Sequence, residues 1–240
     1  MSRTLKRDIP GIDWRVGVAE AAERGWPAIF AADVPEPLPL VVEIGFGRGE
    51  FLLDLAPRHP KQAFLGIEVS HKRTLKLARR LARTELRNVR LVEATAQEVV
   101  AETLSDESVC CFWINFSDPW PKKRHFRRRL IQADFVAAMA RRLVPGGLIR
   151  FATDHPGYAE WADEVLRDAP GLENRYAPDA WRPSAPGRAP TAYELEWRAL
   201  GRSLHFFEYA RPEREASRSG RDRAYSKKWN ERPSARHSSS

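Results

Sequence analysis

The chain has 240 residues, 40 of them Lys or Arg and 32 Asp or Glu, for a formal charge of +8. That length suffices for one α/β domain with a full core plus extensions. Two adjacent cysteines, Cys110 and Cys111, exclude a disulfide framework, and no apolar stretch reaches the length of a membrane span. The expectation is a soluble, cytoplasmic protein with no membrane partner and no metal. Its basic surplus calls for a polyanionic partner without choosing among RNA, DNA and an anionic surface. The surplus is concentrated: six of the eight residues from Lys122 to Arg129 (KKRHFRRR) are basic, and the tail from Arg211 carries nine basic and four acidic residues.

Residues 1–37 are Pro-interrupted (Pro10, Pro27, Pro35, Pro37) and read as an N-terminal arm with a short helix at Arg15 to Arg24. From Leu40 to Leu55, LVVEIGFGRGEFLLDL reads as strand, tight turn and helix, with Glu43 near the strand end and glycines at 45, 47 and 49. Such a turn lets a ligand approach the backbone closely. The spacing is GxGxG instead of the dinucleotide GxGxxG, and Glu50 in the first helical turn is a poor neighbour for a phosphate. A phosphate-free nucleoside cofactor, S-adenosylmethionine, fits better. The second strand, Ala63 to Val69, places Glu68 about 20 residues past the glycines, where an acid holds a ribose hydroxyl.

Ser70 caps a helix expected to run to Leu86, with Leu75, Ala78, Leu81 and Ala82 inward and Lys72, Arg73, Lys76, Arg79, Arg80 and Arg83 outward. That basic face reads first as a solvated surface and second as an RNA contact. A third strand, Asn88 to Glu93, leads to Ala94, Thr95 and a helix around Gln97 to Glu102. Ser108 to Phe116 is a near-continuous apolar run suited to a central parallel strand. It stops at Ser117-Asp118-Pro119-Trp120-Pro121, because proline cannot donate to a sheet ladder. After the basic run, a helix from Arg129 to Leu143 closes at Pro145-Gly146-Gly147. The strand Leu148 to Thr153 then delivers Asp154 and His155, a helix runs through Trp161 to Leu166, and Leu204 to Tyr209 forms a last strand. The alternation predicts a Rossmann-like, doubly wound, mostly parallel seven-stranded sheet with helices on both faces. Residues 38–211 form this domain, and the Ser/Arg-rich tail 212–240 is expected to be disordered.

Ligands of open α/β sheets bind beyond the carboxyl ends of the strands. Those ends carry Glu43, Glu68, the Ala94-Thr95 corner, Asp118 and Asp154, which makes the cleft acidic while its rim is basic. This division suits a cationic sulfonium cofactor inside and a polyanion outside. Asp154 reads equally well as a simple cap of the next helix, whereas Asp118, wedged before Pro119-Trp120 beside the basic run, reads as functional. Trp120 reads as core before it reads as a base-stacking platform.

At this point the chain resembles the bacterial tRNA (guanine-N7)-methyltransferases. The resemblance rests on EIGFGRGEFL (Glu43 to Leu52), FLGIEVS (Phe64 to Ser70), INFSDPWPKKRHFRRR (Ile114 to Arg129), the PGG and FATDHPGYAEW segments (Pro145 to Trp161) and TAYE (Thr191 to Glu194). It implies a class I methyltransferase acting on N7 of a guanine in the tRNA variable loop, with tRNA as partner. The family's cofactor residues fall on Glu43, Glu68, Thr95 and Asp118, beside the turn glycines Gly45 and Gly47. Its catalytic aspartate falls on Asp118, and its substrate residues on Lys122, Asp154, Thr191, Tyr193 and Glu194. Two departures stand out. Thr95 replaces the usual Asp or Asn, and the family's Arg-Pro-x-Thr becomes Arg188-Ala189-Pro190-Thr191. The alternatives are an amino-group methyltransferase of the adenine-N6 type, disfavoured because Trp120 follows Pro119 directly, and a non-catalytic RNA-binding relative. The intact Glu43, Glu68 and Asp118 speak against the second.

Overall fold

A computed structural model describes residues 7–34, 36–185 and 190–214. The tail from residue 215 and the Arg188-Ala189 departure lie outside these residues. Seven strands form one sheet: β1 (Leu40–Ile44), β2 (Ala63–Glu68), β3 (Val89–Glu93), β4 (Val109–Asn115), β5 (Leu143–Thr153), β6 (Glu173–Asn174) and β7 (His205–Ala210), in the spatial order β3-β2-β1-β4-β5-β7-β6. The first five pair in parallel; β7 runs antiparallel to β5 and to β6. This is the Rossmann-like, doubly wound architecture the alternation predicts.

The helices cover both faces because the central strands are apolar on both sides. In β1 and β2 every residue is buried. Helices α3 (Glu50–Arg58) and α4 (His71–Leu81) pack one face with Phe51, Leu52, Leu77 and Leu81. On the other face lie α1 (Val18–Arg24), α2 (Trp26–Ala31), α5 (Ala96–Glu102), α6 (Ala133–Arg142) and α7 (Pro156–Arg167), with Trp26, Val99, Val136 and Tyr158 in one core. A short helix, α8 (Ala192–Ala199), lies against Phe116 and Phe206 through Trp197 and Tyr193.

Several boundaries differ from expectation. The helix α4 ends at Leu81, five residues early, and α6 begins at Ala133 because Arg129 to Gln132 leave the helix to make other bonds. Pro145-Gly146-Gly147 does not close that helix. It lies inside β5, where the register slips between Val109 and Cys111 opposite Leu143 and Leu148. A side chain at Gly147 would meet the Val144 and Cys110 carbonyls at 2.9 and 3.2 Å, so the bulge admits only glycine. The helices α2 and α8 and the two-residue β6 carry no period long enough to be read in the sequence.

The N-terminal residues read as an arm join the core. Val16 donates its N–H to the Leu91 carbonyl (2.8 Å) and Leu91 donates to Trp14 (3.0 Å), extending the sheet beside β3. Trp26 is buried and donates Nε1–H to Thr103 Oγ1 at 3.0 Å. On β3, against this segment, sits Arg90, 3% exposed, its guanidinium 4.5 Å from the Trp14 ring and 4.9 Å from the Phe30 ring and paired with Asp33. Burial lowers its pKa and Asp33 opposes that shift. Removing one partner of such a pair costs more than replacing the cation by an apolar chain of similar shape. Asp33→Ala should therefore destabilise the fold by about 3 kcal/mol in urea denaturation, and Arg90→Met should cost less; the reverse order would show that the pair contributes nothing.

Candidate functional site

The carboxyl ends of β1, β2 and β4 open into one cavity of about 720 Å³, a size suited to a nucleoside cofactor with a base beside it. Its floor is the turn after β1. Gly45 and Gly47 hold φ of 73° and 56°; a Cβ would stand in open space at Gly45 and would meet only the Gly45 carbonyl, at 4.0 Å, at Gly47, so the backbone itself lines the cavity. Gly49 serves packing: a Cβ there would lie 2.4 Å from Leu77. Glu43 is buried beneath this turn.

Glu68, 4% exposed, ties the turn to the second unit. One carboxylate oxygen accepts the Gly47 N–H and the other the Ser70 N–H, each at 3.0 Å, while Arg73 Nη1 stands 3.5 Å away. An ionised carboxylate has about four acceptor sites, so lone pairs remain for a ligand's hydroxyls. Thr95 is the N-cap of α5, its hydroxyl oxygen accepting the Glu98 N–H at 3.2 Å. Its hydroxyl proton and one lone pair are left to face the cavity.

Asp118 is exposed and lines the same cavity. The loop carrying it is strained at both sides, since Phe116 (φ 55°) and Trp120 (φ 43°) are bulky residues in the left-handed region. It is pinned from behind. Arg129, 2% exposed, donates from Nε to the Pro119 carbonyl (2.9 Å) and from Nη1 to the Gly157 carbonyl (3.1 Å). The guanidinium stacks 3.7 Å from the Phe126 ring, with Tyr158 and Trp161 at 5.1 and 5.4 Å. Burial pushes its pKa down. Tyr158 accepts the Ile131 N–H at 3.1 Å and sits 3.5 Å from Ser117 Oγ, and its buried hydroxyl has a raised pKa.

The basic run is therefore not uniform. Lys123 to Arg128 form an exposed 3-10 turn following Lys122, while Arg129 is a structural clamp. Trp120, read as core, lines the cavity half-buried, with His125 edge-on at 5.7 Å and Arg128 over it at 5.0 Å.

The structure brings Glu43, Gly45, Gly47, Glu68, Thr95, Asp118, Thr191 and Tyr193 to the cavity wall; Lys122, Asp154 and Glu194 are not on it. Asp154 is paired with Arg202 at 2.9 Å, and Arg202 stacks 3.5 Å over Trp197. Thr191 and Glu194 form a capping box: Thr191 Oγ1 accepts the Glu194 N–H (3.2 Å) and Glu194 Oε2 accepts the Thr191 N–H (2.6 Å). Tyr193 stands 4.8 Å from Phe116, and burial raises its pKa, with nearby Asp154 adding to the shift.

Sequence reasoning missed Val69, Arg73, Asn115, Arg128 and Glu196 on the wall. Val69, 66% exposed directly after Glu68, is an apolar surface inside a polar cleft. Asn115 could have been found as the one polar residue closing the apolar fourth strand, and its Nδ2 is buried without a hydrogen-bond partner among the described residues. The carboxylates of Glu43, Glu50, Glu68, Asp118 and Glu196 outnumber the guanidiniums of Arg48, Arg73 and Arg128 on the wall, so the cavity is acidic. Cys110 and Cys111 are both buried on β4, and burial drives the Cys111 thiol up to about 12. Among the described residues, no helix is long and apolar enough to cross a membrane.

A family model described as "Putative methyltransferase" matches residues 37–207. A tRNA (guanine-N(7)-)-methyltransferase of Leifsonia xyli is 42% identical over 199 residues, 83% of this chain and 84% of the relative. One of the same name from Alkalilimnicola ehrlichii is 40% identical over 179 residues, 70% and 76% of the two chains. Among solved structures, the 16S rRNA methyltransferase KamB superposes with a TM-score of 0.55 at 15% identity, covering 76% of this chain and 91% of its own, a likeness of fold alone.

The clamp gives a direct test. Arg129→Ala removes two charge-assisted hydrogen bonds from a buried position and should cost about 2–4 kcal/mol of stability. Arg127→Ala, two residues away and exposed, should stay within about 0.5 kcal/mol. Equal losses in thermal denaturation would rule out the division of the run.

Proposed function

The chain belongs to the bacterial tRNA (guanine-N7)-methyltransferase family, and from that premise we propose how its cavity does the family's work. It transfers a methyl group from S-adenosylmethionine to N7 of a guanine in tRNA; the target guanine is assigned to the variable loop, and the compartment to the cytoplasm. The observation that carries this reading is the single cavity in which the glycine turn, Glu68, Thr95 and Asp118 meet beneath a lip of exposed cations.

The residues present fit the cofactor. Bare backbone at Gly45 and Gly47 leaves room for it, and the acidic wall suits its positive charge. When bound, S-adenosylmethionine supplies an electrophilic methyl group on a cationic sulfur. Glu68, already fixed by two backbone N–H groups, offers its remaining lone pairs to the ribose hydroxyls. Thr95 meets the adenine edge with a neutral hydroxyl where the family's usual Asp or Asn would bind more strongly. Glu43 adds negative potential beneath the glycine turn.

Asp118 is the catalytic residue. Its carboxylate accepts from the guanine N1–H and exocyclic amine, a donor pair adenine lacks, and faces the positive charge that methylation leaves on the base. Guanine N7 carries a lone pair and no proton, so the reaction needs no general base and positioning supplies most of the acceleration. Lys122 and the exposed turn after it hold phosphates. Asp154 and Glu194 act through other groups. Asp154 fixes Arg202 against Trp197, and Glu194 caps α8, so that Thr191 and Tyr193 stay on the cavity wall.

Incubated with S-adenosylmethionine and unmodified tRNA, the protein should yield 7-methylguanosine on nucleoside chromatography. Asp118→Ala should abolish the product while tRNA affinity changes by less than about threefold, since phosphate contacts supply most of the binding. N6-methyladenine as the product would select the amino-group alternative. Replacing Lys122, Lys123 and Arg124 together by Ala should lower the slope of log affinity against log salt by up to about 3, and an unchanged slope would place the RNA elsewhere.

A further inference from the structure

We propose that the outer face of α4 is a second RNA-phosphate contact, on the rim of the cavity served by the glycine turn and Glu68. This rests on the reading that the cavity takes a tRNA guanine. Lys72, Arg73, Lys76, Arg79 and Arg80 fall within about a third of the helix circumference at 3.6 residues per turn, with Arg83 in the turn that follows, while Thr74, Leu75, Leu77, Ala78 and Leu81 are buried beneath them. Lys72, Arg73, Lys76, Arg80 and Arg83 are exposed, and α4 contains no acidic residue.

Two observations separate this face from an ordinary solvated one. The first is that the cations at its N-terminal end oppose the local physics of the helix, whereas Arg79 and Arg80 in the last turn agree with it. Lys72 and Arg73 occupy the first turn, where the macrodipole favours anions; Glu68 stands 3.5 Å from Arg73, but no ion pair offsets Lys72 among the described residues. Lys72, Lys76 and Arg80 repeat at four-residue spacing, each like-charged pair costing a few tenths of a kcal/mol. Among the described residues no ion pair to Lys72, Lys76 or Arg83 offsets that cost, whereas Arg73 is paired with Glu68. The second is placement. Arg73 lines the cavity beside Glu68, and Arg80 donates to the carbonyl of Arg48, itself on the cavity wall, at 2.7 Å. The cationic face thus starts at the mouth of the site and extends about 12 Å along the helix, at 1.5 Å per residue.

The chemistry selects nucleic acid over a lipid surface. A helix that lies on a membrane needs an exposed apolar half beside its basic one, and the leucines of α4 are all buried in the core. Together with the turn Lys123–Arg128, α4 gives the cavity a cationic edge carried by a second element of the fold. An RNA presenting its base to Asp118 then lays its backbone over both.

The test is the triple variant Lys72→Ala, Lys76→Ala, Arg83→Ala, which leaves Arg73, Arg79 and Arg80 in their bonds. By fluorescence anisotropy its tRNA affinity should fall roughly tenfold or more near physiological salt, and the salt slope should drop by about 2–3. The KM for tRNA should rise with it, while calorimetric affinity for S-adenosylmethionine stays the same. A charge-conserving variant, Lys72→Arg, Lys76→Arg, Arg83→Lys, should bind tRNA as the parent does. An unchanged slope in the alanine variant, or an equal loss in the charge-conserving one, would overturn the proposal. Binding is read without turnover: a parent protein that binds tRNA through α4 yet makes no 7-methylguanosine would sink the proposed function and support this contact, and methylation with an unchanged slope would do the opposite.

Discussion

Parallel pairing of β1 to β5 obliges the chain to cross back over the sheet after every strand, so that all five strands end at one edge. Residues far apart in sequence then meet there because each follows a strand: the glycine turn after β1, Glu68 closing β2, Thr95 after β3 and Asp118 after β4. The cavity is the space left between these endings. Glu68 makes it a single site, since its two oxygens bind the turn of one unit and the first residue of the next. A glutamine there keeps the shape but has only one acceptor oxygen for those two N–H groups.

The loop bearing Asp118 is the part of the site that secondary structure does not hold. Two bulky residues at positive φ cost on the order of 1–3 kcal/mol each, and the loop keeps that shape only because its surroundings over-determine it. Arg129 does so from the rear, joining the Pro119 carbonyl to the Gly157 carbonyl at the start of α7 inside a cage of three aromatic rings. The Phe116 N–H bonded to Ala152 fixes the front of the loop to β5. The carboxylate thereby stands in solvent at the cavity wall on a rigid support, the preorganisation that the proposed catalysis by positioning would demand.

Charge is sorted by depth. Among the described residues two arginines are buried to hold the fold, Arg90 between Trp14 and Phe30 and Arg129 behind the Asp118 loop, and the half-buried Arg150 is paired with Glu208 at 2.7 Å and stacked 4.7 Å over Trp113. Carboxylates line the cavity, and the exposed cations of α4 and the turn Lys123–Arg128 stand outside it. A net charge says only that a polyanion is attracted. The layering supports placing it outside the cavity, where a cationic cofactor and an anionic substrate would share one cleft without competing for the same groups.

Local patterns along the chain were enough to order the elements and to foresee the doubly wound sheet and the acids at its strand ends. Apolar runs such as Val109–Asn115 and glycines at fixed offsets are local signals, and the crossover rule converts their order into a shared edge. The sequence left Arg129 among the phosphate binders and Trp120 in the core, and it did not disclose that Asp154 pairs with Arg202 or that Thr191 and Glu194 cap a helix. Only the tertiary structure decided these, because a guanidinium reads the same in sequence whether it faces water or three aromatic rings. The N-terminal segment was illegible for a related reason: Trp14 and Trp26 acquire meaning only against β3 and Thr103, partners some 77 residues away, which no periodicity within the segment encodes.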